Sequence, residues 1–201
     1  MNIRFCLLSL ITLLGLAGSA CAQSGKSIGL YYSFPAHSSV VTFEQLVGGG
    51  SYESNGMQNF GISYIHGLSR VLDFETGIDY SEHHVIRHPA FLGDATPPPT
   101  KVSARLVTVP ALLRANLGNY VYLNGGPMID IDISQSREIS NQTGLGVALG
   151  AGGRYAFKSG ISVFVNPNAR LHALSSFTRQ RSRYRIIETG IRVGLAYAIA
   201  K

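Results

Sequence analysis

Three histidines near the middle of the chain are the first residues that could do chemistry. His83, His84 and His88 carry imidazole nitrogens, and the spacing of His84 and His88 matches two metal ligands on one turn of a helix. The prolines that follow, at position 89 and at positions 97–99, leave no evident helix in this segment. We therefore predict no metal site and no cofactor, and His84 and His88 are the candidate ligands if a metal does bind.

Ser81 and Glu82 precede these histidines and add a second possible set of chemical groups. A serine, a histidine and an acid are the residue types with which barrel enzymes trim or move lipid acyl chains. Adjacent residues at a strand end point to opposite faces, so these neighbours cannot form a triad among themselves. We predict a protein without catalytic activity, and a lipid-active enzyme is the alternative.

The segment before them, residues 72–80, changes polarity at every residue. A period of two is typical of a β-strand, whereas a helix would scatter its carboxylates around the whole circumference. One face is apolar, and the other carries Asp73, Glu75 and Asp79. In a soluble sandwich these carboxylates would face water, but in a membrane barrel they would face the lumen while the apolar face meets lipid.

Short extended segments of this kind recur along the chain. Beyond residue 25 no run approaches the roughly 20 apolar residues of a membrane helix, so any membrane-spanning segments must be strands. Eight segments are predicted, an even number and the smallest common size of a transmembrane barrel. They are residues 27–34, 58–65, 72–80, 105–115, 120–133, 144–157, 161–171 and 186–201.

The connections between these strands alternate strictly in length. Three are tight turns at residues 67–69, 116–119 and 158–160, and four are long, at residues 35–57, 81–104, 134–143 and 172–185. Short turns at one end and long loops at the other are typical of an outer-membrane barrel, and a soluble sandwich has no reason to sort its loops. We predict an all-β, eight-stranded, antiparallel up-and-down transmembrane β-barrel; a secreted soluble β-sandwich or binding domain is the alternative.

The amino-terminal residues have the three regions of a secretory signal peptide. Arg4 precedes an apolar run, and small residues follow it up to Ala22. We expect cleavage after Ala22, which divides the chain into a signal peptide, residues 1–22, and one barrel domain, residues 23–201. In a competing interpretation Cys21 is the lipidated first residue of a lipoprotein. Under the favoured cleavage both cysteines leave with the leader, so no disulfide stabilises the mature chain.

Three further stretches resemble the porin-family outer-membrane β-barrel domain of Gram-negative bacteria. They are the run from Val109 to Arg114, the run from Tyr122 to Pro127 and the glycine-rich run from Gly146 to Gly153; residues 74–80 are similar to the third strand of that family. The resemblance covers most of the mature chain and implies an eight-stranded barrel in the outer membrane, inserted by the barrel insertion machinery. It implies no particular activity.

The predicted lumen is lined with both signs of charge. An eight-stranded barrel is only wide enough for side chains to fill, and buried charges persist when they are paired. We therefore expect a salt-bridged network that closes the lumen, in a protein whose long loops serve surface contact or envelope integrity. The predicted members are Asp73, Glu75, Asp79, Asp130, Asp132, Glu188, Arg154, Arg170 and Arg192.

Four arginines alternate along the last predicted loop and enter the last strand. Arg179, Arg181, Arg183 and Arg185 would line one face of an extended chain, where guanidinium groups bind lipopolysaccharide phosphates. The expected partners are therefore outer-membrane lipid and lipopolysaccharide, for a chain that we expect to be monomeric. The formal charge of +6 raises the question of nucleic acid, but the chain is exported and its basic residues are not interleaved with aromatic residues as a stacking platform, so we expect no nucleic-acid partner.

Overall fold

Eight antiparallel strands form a single closed ring in the computed structural model of the protein. The structure describes residues 25–42, 51–88, 98–134, 141–177 and 184–200, so the predicted leader lies outside the described residues. Within those ranges, no helix is long and apolar enough to cross a membrane. The fold is all-β and up-and-down, which confirms the predicted fold class and excludes the sandwich.

Each strand pairs with its neighbours in chain order, and β8 pairs with β1 to close the ring. The closing pair runs from Lys26 opposite Ala200 to Thr42 opposite Tyr184. A closed ring leaves no sheet edge with unpaired N–H and C=O groups, which is the condition for strands to lie in lipid. The strands are β1 (Lys26–Thr42), β2 (Ser51–Gly67), β3 (Leu72–His88), β4 (Thr100–Leu117), β5 (Val121–Asp132), β6 (Gly144–Ala156), β7 (Ile161–Ser176) and β8 (Tyr184–Ala200).

The three tight connections lie at one end of the barrel, which we name the turn end; the opposite end is the loop end. In the β2–β3 turn the Ser69 hydroxyl accepts hydrogen bonds from the backbone N–H groups of Val71 and Leu72, at 3.3 and 3.1 Å. The β4–β5 and β6–β7 turns contain Gly118 and Gly160 at φ of 81° and 85°, a left-handed conformation that glycine adopts without a Cβ clash. The local sequence thus sets the reversals at the turn end.

Toward the loop end six of the eight strands are longer than predicted, and β5 and β6 are the exceptions. Residues 35–42, 51–57, 81–88, 100–104 and 172–176 belong to strands, where the sequence predicted loops. The strand β3 has 17 residues, whereas about 9–11 tilted residues cross the hydrocarbon core of a bilayer. Three of the four predicted long loops were therefore wrong in their boundaries, because these strands continue well past the segment that lipid requires. The loop predicted at residues 134–143 agrees with the structure to within one residue.

The outer surface carries a continuous belt of exposed apolar side chains around the turn-end half of the barrel. Leu30, Ile62, Ile78 and Leu195 are 62%, 53%, 61% and 57% exposed, and Leu30 is the neighbour of both Ile62 and Leu195 across the strand pairs. A water-facing surface of this kind would be costly, whereas in a bilayer the same side chains contact acyl chains.

We predict that Leu30→Arg destabilises the folded barrel in phospholipid vesicles by about 2–4 kcal/mol, because it places a cation in the hydrocarbon core. The free energy of unfolding is measured by urea titration, with far-UV circular dichroism as the signal. The matched control is Val71→Arg in the β2–β3 turn, where an exposed cation near the interface costs about 0–1 kcal/mol. Equal effects at both positions would contradict the lipid-facing assignment of Leu30.

Candidate functional site

The lumen is filled by charged and amide side chains arranged in levels along the barrel axis. At the middle level the Arg192 guanidinium donates a 2.9 Å hydrogen bond to Glu75, and the Asn124 amide donates to the second oxygen of that carboxylate at 3.1 Å. Asn166 donates in turn to the Asn124 side-chain oxygen at 3.2 Å, and the Arg192 guanidinium lies over the Tyr31 ring. These groups come from five strands and bridge the lumen.

The next level toward the loop end is organised around Arg170. Its guanidinium lies 2.8 Å from a carboxylate oxygen of Asp79 on β3 and 3.5 Å from one of Glu188 on β8, and all three side chains are almost fully buried. The Tyr31 hydroxyl donates to the other oxygen of Asp79. A buried carboxylate needs such partners because it has left water, and here one cation serves two carboxylates.

Two histidines complete this level. His172 Nδ1 donates to Asp130 at 2.9 Å, and its Nε2 lies 3.5 Å from Glu188; His83 Nε2 lies 3.5 Å from the same Glu188 oxygen. His83 Nδ1 is 3.4 Å from the Ser38 hydroxyl. Asp130 also accepts hydrogen bonds from the Thr108 hydroxyl at 2.8 Å and the Ala173 backbone N–H at 3.1 Å.

A β-bulge on β7 supplies the last of these hydrogen bonds. The register of β6 against β7 shifts between Leu145 and Val147, and Ala173 takes a φ of 49°, which is uncommon for a residue with a side chain. The bulge turns the Ala173 N–H toward the Asp130 carboxylate and leaves His172 and Ala173 both buried, although successive strand residues normally alternate.

At the turn end the lumen charges are held differently. Asn116 donates a 2.7 Å hydrogen bond to Asp73, and the Arg114 guanidinium stacks 3.4 Å above the centroid of the Tyr122 ring. The Tyr122 ring fits there because Gly152 has no side chain: a Cβ would approach the ring to 2.3 Å. Arg114 and Tyr122 are lumen residues that the predicted network did not include.

The nine predicted network residues take two kinds of position. Asp132 and Arg154 are only half-buried, and Asp132 accepts hydrogen bonds from the backbone N–H groups of Ser134 and Gln142 at the β5–β6 connection. The Asp132 carboxylate therefore orders a strand end, where the sequence predicted a partner in the lumen. The other seven, Asp73, Glu75, Asp79, Asp130, Glu188, Arg170 and Arg192, are buried inside the barrel.

The predicted metal ligands His84 and His88 lie on β3, so the helical spacing that suggested them does not apply. Four residues along a strand span about 13 Å, too far for two ligands of one ion. The His84 ring contacts the Ser103 hydroxyl at 3.0 Å, whereas His83 faces the lumen. Ser81 is likewise buried inside the barrel, and Glu82 faces outward and pairs with Arg105 at 3.0 Å. Ser81 and His83 therefore share the lumen face, and the acid of the predicted set, Glu82, lies on the opposite face of the strand.

The predicted lipopolysaccharide site lies mostly outside the described residues, which do not include Arg179, Arg181 and Arg183. Arg185 begins the described part of that row on β8, and its guanidinium donates to the Leu174 backbone carbonyl at 2.5 Å.

Comparison with known proteins identifies the architecture. No family model matches the sequence, and no curated protein does. The structure is similar to the crystal structure of the outer membrane protein OprG from Pseudomonas aeruginosa, with a TM-score of 0.51 and 12% identity over 89% of this chain and 97% of OprG. It is also similar to the outer membrane protein AlkL, determined by solid-state NMR in DMPC lipid bilayers, with a TM-score of 0.53 and 10% identity over 91% of this chain and 94% of AlkL.

The fold is that of an outer-membrane β-barrel. This agrees with the predicted location in the outer membrane of a Gram-negative bacterium. At 10–12% identity the likeness concerns the fold alone, and membership of the porin family stays a prediction.

Sequence reasoning missed His83 and His172 as lumen residues because both fall in predicted loops. His172 lies two residues after Arg170, on the same inward face as Asn166 and Arg170. This polar alternation indicates that the strand extends as far as His172. Beyond Tyr80 no such polarity signal exists: Ser81, His83 and Val85 point inward, and Glu82, His84 and Ile86 point outward.

We predict that Arg170→Met costs about 3–5 kcal/mol of unfolding free energy in detergent micelles, because it leaves Asp79 and Glu188 buried without their cation. The change is measured by urea titration with circular dichroism. Arg105→Met is the matched control: it breaks an exposed arginine–carboxylate pair and should leave the unfolding midpoint almost unchanged. Similar losses of unfolding free energy in the two variants would mean that the buried pairs of Arg170 stabilise the barrel no more than the exposed pair of Arg105 does.

Proposed function

We propose that this protein is a non-catalytic integral barrel of the Gram-negative outer membrane whose lumen is closed by paired side chains. The observation that carries the proposal is the filled lumen. At the middle level Arg192, Glu75, Asn124 and Asn166 join opposite walls of the barrel. An eight-stranded barrel has room for side chains but not for a water-filled channel beside them.

A second seal supports the proposal at the loop end. Beyond the charged levels the inward side chains become apolar, and they form a buried cluster of Val85, Val102, Ala104, Leu106 and Ile186. An ion that passed the charged levels would have to cross this apolar cluster without its hydration shell, which is costly. The function would then be performed by the outer wall and the external connections, in surface contact or envelope integrity.

The monomeric state and the lipid partners are part of the same proposal. The ring closes within one chain through β1 and β8, so no second copy is needed to cover an edge. The apolar belt fits outer-membrane lipid, and the arginine row that ends at Arg185 fits the phosphates of lipopolysaccharide. Delivery by the barrel insertion machinery follows from the location.

The alternative of a lipid-active enzyme has less support. Ser81 and His83 are 2% and 1% exposed and lie inside the lumen, away from the lipid that such an enzyme would act on. On the outward face Glu82 pairs with Arg105, and His84 Nδ1 lies 3.0 Å from the Ser103 hydroxyl. Among the described residues His84 has no carboxylate partner, so this pair lacks the third group of a triad.

We predict that the purified protein shows no ion-conducting steps when it is reconstituted in a planar lipid bilayer, because both charged and apolar levels block the lumen. A porin of known conductance, inserted in the same membrane, is the positive control. The double variant Glu75→Ala/Arg192→Ala removes one bridge and leaves neither partner unpaired, so any leak it adds reports the contribution of that bridge. Regular conductance steps from the unmodified protein would contradict a closed lumen.

A further inference from the structure

His83, His172 and Glu188 form a compact group at the junction of the charged lumen and the apolar cluster at the loop end. They come from three strands, β3, β7 and β8, and their side chains are 3% exposed or less. One ligand atom from each residue lies within 4.8 Å of the other two. Among the described residues, this is the one group of three or more potential metal ligands whose atoms lie close enough to share an ion.

The three atoms that face one another are also buried without hydrogen-bond partners in the described part of the chain. They are Nε2 of His83, Nε2 of His172 and Oε2 of Glu188. Buried polar atoms are nearly always hydrogen-bonded, so three unpartnered atoms at one point indicate that a further group, either water or an ion, binds there. Two imidazole nitrogens and a carboxylate oxygen are the donor set of a transition-metal ion.

Two of the three distances between the ligand atoms fit a tetrahedral ion, and all three atoms lie within 4.8 Å of one another. Ligand atoms about 2.0–2.1 Å from a tetrahedral Zn²⁺ lie about 3.4 Å apart. Glu188 Oε2 lies 3.5 Å from the Nε2 atom of each histidine. Three protein ligands would leave the fourth position of the ion for water.

The surrounding groups orient each ligand. Asp130 accepts from His172 Nδ1 at 2.9 Å, and Ser38 is 3.4 Å from His83 Nδ1, so the ring protons can lie on Nδ1 and leave both Nε2 lone pairs free. Arg170 lies 3.5 Å from the other Glu188 oxygen, Oε1. Outer partners of this kind fix the tautomer and direction of ligands in metal sites.

The charge of the level favours a cation as well. Asp79, Asp130 and Glu188 face one guanidinium, that of Arg170, so with neutral imidazoles the level carries a net charge of −2. A divalent ion would balance that charge among buried side chains, where an unbalanced charge is costly.

We propose that His83, His172 and Glu188 bind one divalent transition-metal ion of the zinc type. The ion joins three strands at the side of the charged lumen that is nearer the loop end. The residues that the helical spacing suggested, His84 and His88, take no part. The site is independent of whether the lumen conducts, so the proposal stands apart from the function proposed above.

The test is a Zn²⁺ titration of the full barrel folded in detergent micelles, prepared without a histidine tag and competed against a chromophoric chelator. We expect one Zn²⁺ per chain, and at least 100-fold weaker binding in His83→Ala and His172→Ala. The matched control is His84→Ala, the neighbour on β3 that faces outward, which should bind as the unmodified protein does. Co²⁺ gives a second readout, because a tetrahedral site produces strong visible absorption.

Two conservative variants keep the proposal testable if an alanine variant fails to fold. Glu188→Gln preserves the side-chain volume and should weaken binding by removing the anionic ligand, and Asp130→Asn should weaken it about 10–100-fold through the orientation of His172. Folding of every variant is checked by circular dichroism. The proposal would be overturned if the unmodified protein bound no Zn²⁺, or if His83→Ala bound it equally well. The three residues would then form an internal imidazole–carboxylate cluster without a metal.

Discussion

The pairing of β8 with β1 is the constraint on which the rest of this structure depends. In lipid no water is available to satisfy a free N–H or C=O group, so the sheet has to close on itself. The register that joins Leu30 to Leu195 and Tyr31 to Gly194 fixes which residues face each other across the lumen. A shift by one residue would turn the apolar side chains inward and the carboxylates into the bilayer.

Closure in turn makes the lumen a small space in which charge has to be neutralised locally. Arg170 and Arg192 each bind carboxylates from a different strand, and Tyr31 contacts both levels through its ring and its hydroxyl. Gly61 permits this position of Tyr31, since a Cβ there would come within 2.7 Å of the ring and 2.5 Å of Asp79. Small residues on one strand thus make room for long side chains of another.

On β3 and β4 the polarity of the wall reverses along the barrel axis. On β4 the inward series changes from Asn116 and Arg114 at the turn end to Leu106, Ala104 and Val102 at the loop end. The outward series changes in the opposite sense, from Leu117 and Leu113 to Arg105 and Lys101. On these strands the loop-end residues therefore have the arrangement of a water-soluble barrel, and the turn-end residues have that of a membrane barrel.

This reversal explains how far the sequence could predict the fold. Where lipid meets the wall, as along residues 72–80, alternation is strong and predicts both the strand and its facing. Past Tyr80 the contrast between faces fades as the reversal begins, so the strand ends and the inward position of His83 were not predicted. The lumen charges were predictable as a group, but the pairing of Glu75 with Arg192, 117 residues apart, depends on a register that no local pattern contains. The bulge that orders Asp130 and His172 was likewise not predicted, because the residue with positive φ is Ala173 and not a glycine.

Adjacent residues of a strand face the lumen and the lipid in turn, and a single pair of variants tests this alternation most directly. The chain contains no tryptophan, so Tyr31→Trp and Tyr32→Trp each introduce one fluorophore, at neighbouring positions of β1 that are 6% and 39% exposed. In vesicles of lipids with brominated acyl chains, the tryptophan at position 32 should be strongly quenched and the one at position 31 should not. Equal quenching at both positions, or stronger quenching at position 31, would contradict a barrel whose polar face is sealed inside.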